Sequence, residues 1–413
     1  MDETLQCLNR VLSFVGISIF AKNNWDSPFY RVIQIFNLII AIITFILTTG
    51  CIINSFSDLP ALIESICIWT TGVILSISIT ICWVFRKRFR LFVLEMGFRD
   101  TILDVPLIHY VMGLESGGEL LMELKELVVD SRERLLRFVR ILLKCYVSSV
   151  FVTASLYIVG AIYRMLVRED QSLRILAFEM WFPWSLEDMR VYAASFIFHA
   201  YAGLICCSGY PGFQITIILL VGQSIRQLRI LTFVISHQDE LVKEITNMRE
   251  GESLWQLYCT DILSQCIKHY ITLKTFNNRV NVIFRPFYLT LILVATLLVC
   301  GCSTKIAISN KFALEVIKYY VHEFCFIIVV LMFCLLGQQL QDECEKLEGS
   351  ILQKWYIYNA KHTKHLRIFK MAASQRMPIH IFGTITLSLP TFTWFIRTGT
   401  SFFTLMMSFM EEQ

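Results

Sequence analysis

Charge is what this chain has least of. Asp, Glu, Lys and Arg supply 17% of its 413 residues, where soluble domains carry about 25%, so a soluble globular domain is excluded. Proline is sparse as well, 8 in the whole chain, which leaves long stretches free to continue as helix. Catalytic signatures are missing: there is no Gly-x-Ser-x-Gly, no His-Glu-x-x-His, no phosphate-cradling glycine loop and no Cys-x-x-Cys pair. His362 and His365 sit among lysines without a nearby carboxylate, and Cys300-Gly301-Cys302 lacks partners at zinc-ligand spacing. No enzyme activity, metal or other cofactor is expected. Sequons of the Asn-x-Ser/Thr type are absent, and no cleaved signal peptide is expected. Nor is there the inverted repeat of broken helices that marks a secondary transporter.

Apolar sequence is what the chain has in abundance, 55% of it hydrophobic with 32 Phe. Apolar runs fall at Tyr30–Ile53, Ala61–Phe85, Phe138–Tyr163, Val191–Ser224, Pro286–Ala307, Lys318–Leu336 and Ile379–Met410. Each is long enough for a bilayer core, which needs about 20 helical residues. The fold class is therefore an all-α integral membrane protein with seven transmembrane helices. A break is expected in the fourth run at Ser208-Gly209-Tyr210-Pro211-Gly212. Of the 37 Lys and Arg residues, 29 fall on one side of this layout, seven on the other, and Arg397 lies inside the last run. That bias puts the N-terminus in the cytoplasm and the C-terminus outside. The net charge of +4 is then a topology signal, and no nucleic-acid binding is expected. Most of the fourteen cysteines, Cys67, Cys82 and Cys334 among them, lie in the apolar runs and read as small buried hydrophobes.

Outside the runs, apolar residues recur at helical spacing. Leu5, Leu8, Leu12, Val15 and Ile19 suggest an interfacial helix on the cytoplasmic side. Phe85-Arg86-Lys87-Arg88 reads as a stop signal at lipid head groups. The segments Leu241–Phe276 and Leu340–Tyr358 are amphipathic and need partner surfaces, which predicts a packed helical assembly below the membrane. Met180-Trp181-Phe182-Pro183-Trp184, in the longest outer loop, reads either as a rigid lid or as an interfacial anchor. Residues 1–338 then hold six spans with cytoplasmic helical extensions, 339–378 an anchor helix, and 379–413 the last span. As one helix that last run would be about 48 Å long, more than a bilayer core of about 30 Å needs. Pro390 should divide it, with the first part packed on protein. Its second half carries Arg397, Ser401, Thr404 and Ser408, a polar stripe that fits either helix packing or a pore lining.

Several motifs, in order and spacing, resemble the insect odorant receptors over nearly the whole chain. They are the Trp181-Phe182-Pro183 loop, Cys334-Leu335-Leu336-Gly337-Gln338-Gln339-Leu340 leading to Trp355, Gln375-Arg376-Met377-Pro378, Leu387-Ser388-Leu389, and Thr400-Ser401-Phe402-Phe403-Thr404-Leu405. The resemblance implies an odorant-gated, non-selective cation channel subunit in the plasma membrane of olfactory sensory neurons. It also implies a heterotetramer with a shared co-receptor, a small volatile odorant as ligand, contact with membrane lipids, and permeant cations. By the family's frame Leu405 falls at a hydrophobic gate and Phe409 one turn outward. Ser401, Thr404 and Ser408 would line the pore, and Arg397 would line a vestibule, snorkel or form a packing ion pair. Ser408 replaces a family glutamine and the co-receptor's longer insert is missing, so the chain reads as an odour-specific subunit. The family's odorant pocket maps by depth to Trp69, Thr70 and Val73, to Ala154, Tyr157 and Ile158, to Tyr192, Phe196 and His199, and to Tyr319, Tyr320 and Phe324. A gustatory-type self-sufficient homotetramer is the nearest alternative. A G-protein-coupled receptor, which needs the opposite topology, is a further one.

Overall fold

The computed structural model describes residues 3–18, 27–167, 176–178, 180–249, 254–308 and 314–411. Ile19 of the N-terminal pattern lies outside them, as do Lys22, Arg168, Arg174 and Lys311, four of the counted basic residues, and the side chain of Phe409. The described helices are α1 (Glu3–Phe14), α2 (Pro28–Asn54), α3 (Leu59–Val84), α4 (Arg86–Phe92), α5 (Pro106–Gly113), α6 (Glu119–Val167), α7 (Met189–Ser236), α8 (Gln238–Arg249), α9 (Trp255–Ile308), α10 (Leu314–Ser350), α11 (Ala360–Ser374) and α12 (Leu389–Glu411). Six of them, α2, α3, α6, α7, α9 and α10, are long and apolar enough to cross a membrane. The seventh expected span, α12, is not among these six; its Arg, Thr and Ser residues dilute an otherwise apolar helix of 23 residues.

Three helices far exceed a bilayer. At 1.5 Å per residue α9, with 54 residues, runs about 81 Å, and α6 and α7 are nearly as long. Their surplus gathers at one end of the bundle with α1, α4, α5, α8 and α11. We refer to this as the long-helix end. The opposite, short-loop end carries the turn 55–58 between α2 and α3 and the segments 176–178 and 180–188 before α7. Ser27 and Asp58 cap α2 and α3 by accepting from the amides of Phe29 and Ala61, with a proline in the first turn of each.

The amphipathic segments bury their apolar faces against one another, as their period required. Leu241, Ile262, Cys266, Tyr270 and Leu273 enter one core with Leu340, Cys344, Leu347 and Ile351. A buried polar cluster ties this end together. Asp100, in the left-handed region at φ 52°, pairs with Arg226 of α7 and lies 3.7 Å from Arg132 of α6. Gln227 Nε2 donates to Asp100, and Gln227 Oε1 sits 3.0 Å from His269 Nε2 of α9. The carboxylate of Glu244 accepts from the amides of Leu120 and Leu121, satisfying donors in the first turn of α6.

Three local expectations change. First, α1 is covered by protein rather than lying at an interface: Leu5, Leu8 and Leu12 are buried in the core, and α1 packs on α6 and α7. Second, α7 continues unbroken through Pro211. Gly209 and Gly212 lie where α1 presses closest, since a Cβ at Gly212 would stand 3.0 Å from Val11 and 3.2 Å from Leu12. The glycines serve close packing, and the packing holds the proline-bearing turn helical. Third, the terminal segment opens as a short antiparallel hairpin, β1 (His380–Phe382) with β2 (Ile385–Thr386), turning at Gly383 with φ 52°. Helix resumes only at Leu389, so Pro390 occupies the first turn of α12, where a missing N–H costs nothing. The hairpin is clamped between α9 and α10. Asn281 Oδ1 accepts from His380 N at 3.1 Å, and Gln341 Nε2 donates to Thr386 Oγ1 at 3.3 Å. At Gly337 a Cβ would overlap the carbonyl of Leu387, so this glycine is what lets α10 approach the hairpin.

Candidate ligand cavity and the exposed face of the last helix

A cavity of about 110 Å³ lies between α3, α6, α7 and α10, toward the short-loop end. Among the described residues, no side chain lining it carries a fixed charge. From α3 come Ile68, Thr71, Gly72 and Leu75, and from α10 come His322, Cys325, Phe326 and Val329. Small residues of α7, Ala202 and Gly203, leave the space that a larger side chain would fill. Phe178 and Met180 from the loop close the top. Trp181 anchors that loop: its amide donates to Leu47 O at 3.2 Å, and its ring sits over Gly50, where a Cβ would stand 3.0 Å away. Trp184 donates to Ser195 Oγ at 3.2 Å. The loop thus both covers the cavity and keeps two tryptophans half-exposed at the rim.

His322 is the polar centre of the cavity. Its Nε2 is 3.2 Å from Thr71 Oγ1 and its Nδ1 is 3.4 Å from Tyr157 Oη. The Tyr157 ring meets His322 edge-on at 6.2 Å and Phe178 at 5.5 Å. Behind Tyr157, outside the lining, Lys318 Nζ lies 4.7 Å over its ring. Lys318 also pairs with Glu64 at 3.0 Å, and Lys305 of α9 reaches the same carboxylate at 3.2 Å. This ion triad joins α3, α9 and α10 just behind the cavity wall. The other end of the cavity is walled by Tyr146 and Tyr210, edge to face at 5.9 Å, with Phe326 6.1 Å from Tyr210.

Of the residues named from sequence, Ala154 and Tyr157 line the cavity, while Ile158 lies beside them without lining it. Trp69 turns instead to α2, donating to Thr49 Oγ1 at 3.0 Å. Thr70 is buried with its hydroxyl on Cys67 O, and Val73 packs into the core. Tyr192 and Phe196 pack against each other at a tilt nearer the rim, 6.2 Å apart, and Tyr192 Oη donates to Met165 Sδ. His199 is buried behind the lid, 5.9 Å from Phe178 and 5.5 Å from Phe182. Tyr319 packs on Tyr157. Tyr320 and Phe324 are exposed, Phe324 bordering a second, neighbouring cavity of about 190 Å³ that shares Tyr146 and Cys325 with the first. His322, Thr71, Tyr146 and Phe178 were missed. His322 carried the one usable signal, an ionisable side chain inside an apolar run.

The last helix forms a second feature. It leans on α9 and α10, burying Phe395 and bringing Gly399 close to Val299 of α9, where a Cβ would stand 3.3 Å away. The face bearing Arg397, Ser401, Thr404, Leu405 and Ser408 is exposed. Its hydroxyls donate back along the helix, Ser401 to Arg397 O at 2.8 Å and Ser408 to Thr404 O at 3.1 Å. Their oxygen lone pairs are left facing outward.

Six described helices are long and apolar enough to cross a membrane, and four of them, α3, α6, α7 and α10, enclose the cavity, the architecture of a multi-pass membrane protein. The sequence profile of the 7tm odorant receptor family matches residues 58–398, and the chain belongs to that family. Its fold is similar to that of the insect olfactory receptor OR5 from Machilis hrabei, solved in complex with eugenol. That likeness has a TM-score of 0.79 at 12% identity and covers 98% of this chain and 100% of that one. A second structure of OR5 from Machilis hrabei gives 0.75 at 13% identity, covering 98% and 97%. No curated protein sequence matches significantly. The chain is accordingly a membrane odorant receptor and not an enzyme.

Proposed function

We propose that this chain is the odour-specific subunit of an odorant-gated, non-selective cation channel. It would assemble as a heterotetramer with a shared co-receptor in the plasma membrane of olfactory sensory neurons. Its N-terminus is cytoplasmic and its C-terminus extracellular, following the bias of basic residues. A small volatile odorant occupies the cavity around His322, and α12 lines the pore with Ser401, Thr404 and Ser408. Leu405 supplies the apolar constriction that keeps the closed pore dry.

One observation carries this reading: α12 leaves its polar face bare. A stripe of Arg, Ser and Thr on a spanning helix is costly against lipid, and it becomes favourable where neighbouring subunits bring such faces around a shared aqueous axis. The bound odorant has a route to that helix. Tyr157 touches Lys318, which shares Glu64 with Lys305 of α9, and α9 packs on α12 where Val299 meets Gly399.

The test is whole-cell recording from cells expressing the chain with and without an insect co-receptor, with G-protein signalling blocked. Odorant-evoked cation currents are expected only with the co-receptor. Leu405→Ala should raise basal leak in the same cells. Currents from the chain alone would move it to the self-sufficient gustatory type, and responses abolished by the block would overturn the channel reading.

A further inference from the structure

The hydrogen bonds around His322 define the chemistry of the ligand. A neutral imidazole carries one ring hydrogen, and Thr71 and Tyr157 each bring one hydroxyl hydrogen. Two contacts, Thr71 to Nε2 and Tyr157 to Nδ1, use two of these three. If the ring hydrogen is on Nε2 it is donated to Thr71, Tyr157 donates to Nδ1, and the Thr71 hydrogen is left over. If it is on Nδ1 the Tyr157 hydrogen is left over instead. One hydroxyl hydrogen remains unspent in either tautomer.

The other lining hydroxyls are committed or closed off. Thr44 donates to Ile40 O and Thr153 to Ser149 O, both at 2.8 Å. Tyr146 donates to Gln214 Oε1 at 2.8 Å, and the Tyr210 hydroxyl is shut away from open space. The remaining described wall is aliphatic, aromatic or thiol, and among the described residues no lining side chain carries a fixed charge. A carboxylate or an ammonium would have to shed its water without an ionic partner.

From this we infer that the cavity selects neutral volatiles bearing one hydrogen-bond acceptor oxygen, namely ketones, aldehydes and esters. The acceptor lies against the Thr71–His322–Tyr157 chain and the hydrocarbon body against the apolar wall. Carboxylates and alkylammonium ions of the same shape are rejected. The inference rests on the reading of this cavity as the odorant site, and adds to it the class of ligand.

The experiment is ligand-induced thermal stabilisation of the full-length chain in detergent. The probes are acetophenone, its hydrocarbon isostere alpha-methylstyrene, benzoate and benzylammonium. Acetophenone is expected to bind roughly tenfold more tightly than alpha-methylstyrene, the equivalent of one net hydrogen bond. Benzoate and benzylammonium should give no shift. In the Thr71→Val, Tyr157→Phe, His322→Phe triple variant the gap should shrink to about twofold or less, through loss of acetophenone affinity alone. Ala154→Phe, which fills the cavity, should abolish binding of both neutral probes and so covers the case in which the triple variant does not fold. Equal affinity of the two neutral probes, charged analogues that bind as well as acetophenone, or binding untouched by Ala154→Phe would each overturn the inference. Selective binding of acetophenone without any evoked current would count against the channel reading alone.

Discussion

At the long-helix end, Asp100, Arg226, Gln227 and His269 lie buried in one connected cluster spanning α7, α9 and the turn before α5. Among the described residues around the cavity, charge is kept behind the wall, and His322 bonds to two hydroxyls. The first arrangement fixes helices relative to one another, because every buried charge needs its partner in place. The second leaves a wall of weak, rearrangeable contacts next to open space. A receptor needs both: a base that holds register and a sensor that a small ligand can reshape. The ion triad at Glu64 stands between the two kinds, partly buried and shared by three helices.

Substitutions should separate the two regions. Arg226→Ala leaves Asp100 buried without its main partner and is expected to cost about 3–5 kcal/mol. Loss of folded, surface-expressed protein or a large drop in melting temperature would register it. A loss below about 1 kcal/mol would mean that the cluster is a hydrated, surface-like pair and no more rigid than the cavity wall. The smallest expected effect is a pH dependence within the base. Burial, reinforced by neighbouring His365, pushes His362 down to about 4 from its ordinary value of 6.5. A histidine depressed in the folded state contributes stability that is full above about pH 6.5 and is lost as pH falls toward about 4, because the unfolded chain takes up the proton first. The melting temperature should therefore decline between pH 7 and pH 5, and His362→Phe, which keeps the ring stacked on Tyr358, should flatten that decline. An identical slope in the variant would assign the pH dependence to other groups.

Much of the base was legible in the sequence because amphipathic helices announce their buried face. Leu340, Cys344, Leu347 and Ile351 repeat at three and four residues, and all four are buried. The cavity was less legible for the complementary reason. On α10 almost every residue from Tyr319 to Val330 is apolar or aromatic, so periodicity does not say which side faces lipid and which faces the ligand. Tyr320 and Phe324 share one side of the helix, His322 and Phe326 another, and only packing distinguishes them. Phe178 and Met180 reach the cavity from a loop, where no period operates. The hairpin before α12 was hidden because its Ile, Phe and Leu residues run on into the helix at similar density, and Gly383 at the turn was the local signal of a break. The glycines of α7 looked like a break because the α1 surface that fills them lies about 200 residues away in sequence, a distance no local pattern spans.

Electron cryo-microscopy of the chain assembled with a co-receptor, with acetophenone present, would show the ligand site and the pore helix together. Ligand density is expected beside His322, between α3, α6, α7 and α10, and the α12 face with Ser401 and Leu405 is expected to surround a shared axis. Ligand density elsewhere, or α12 turned outward at the rim of the assembly, would contradict this arrangement.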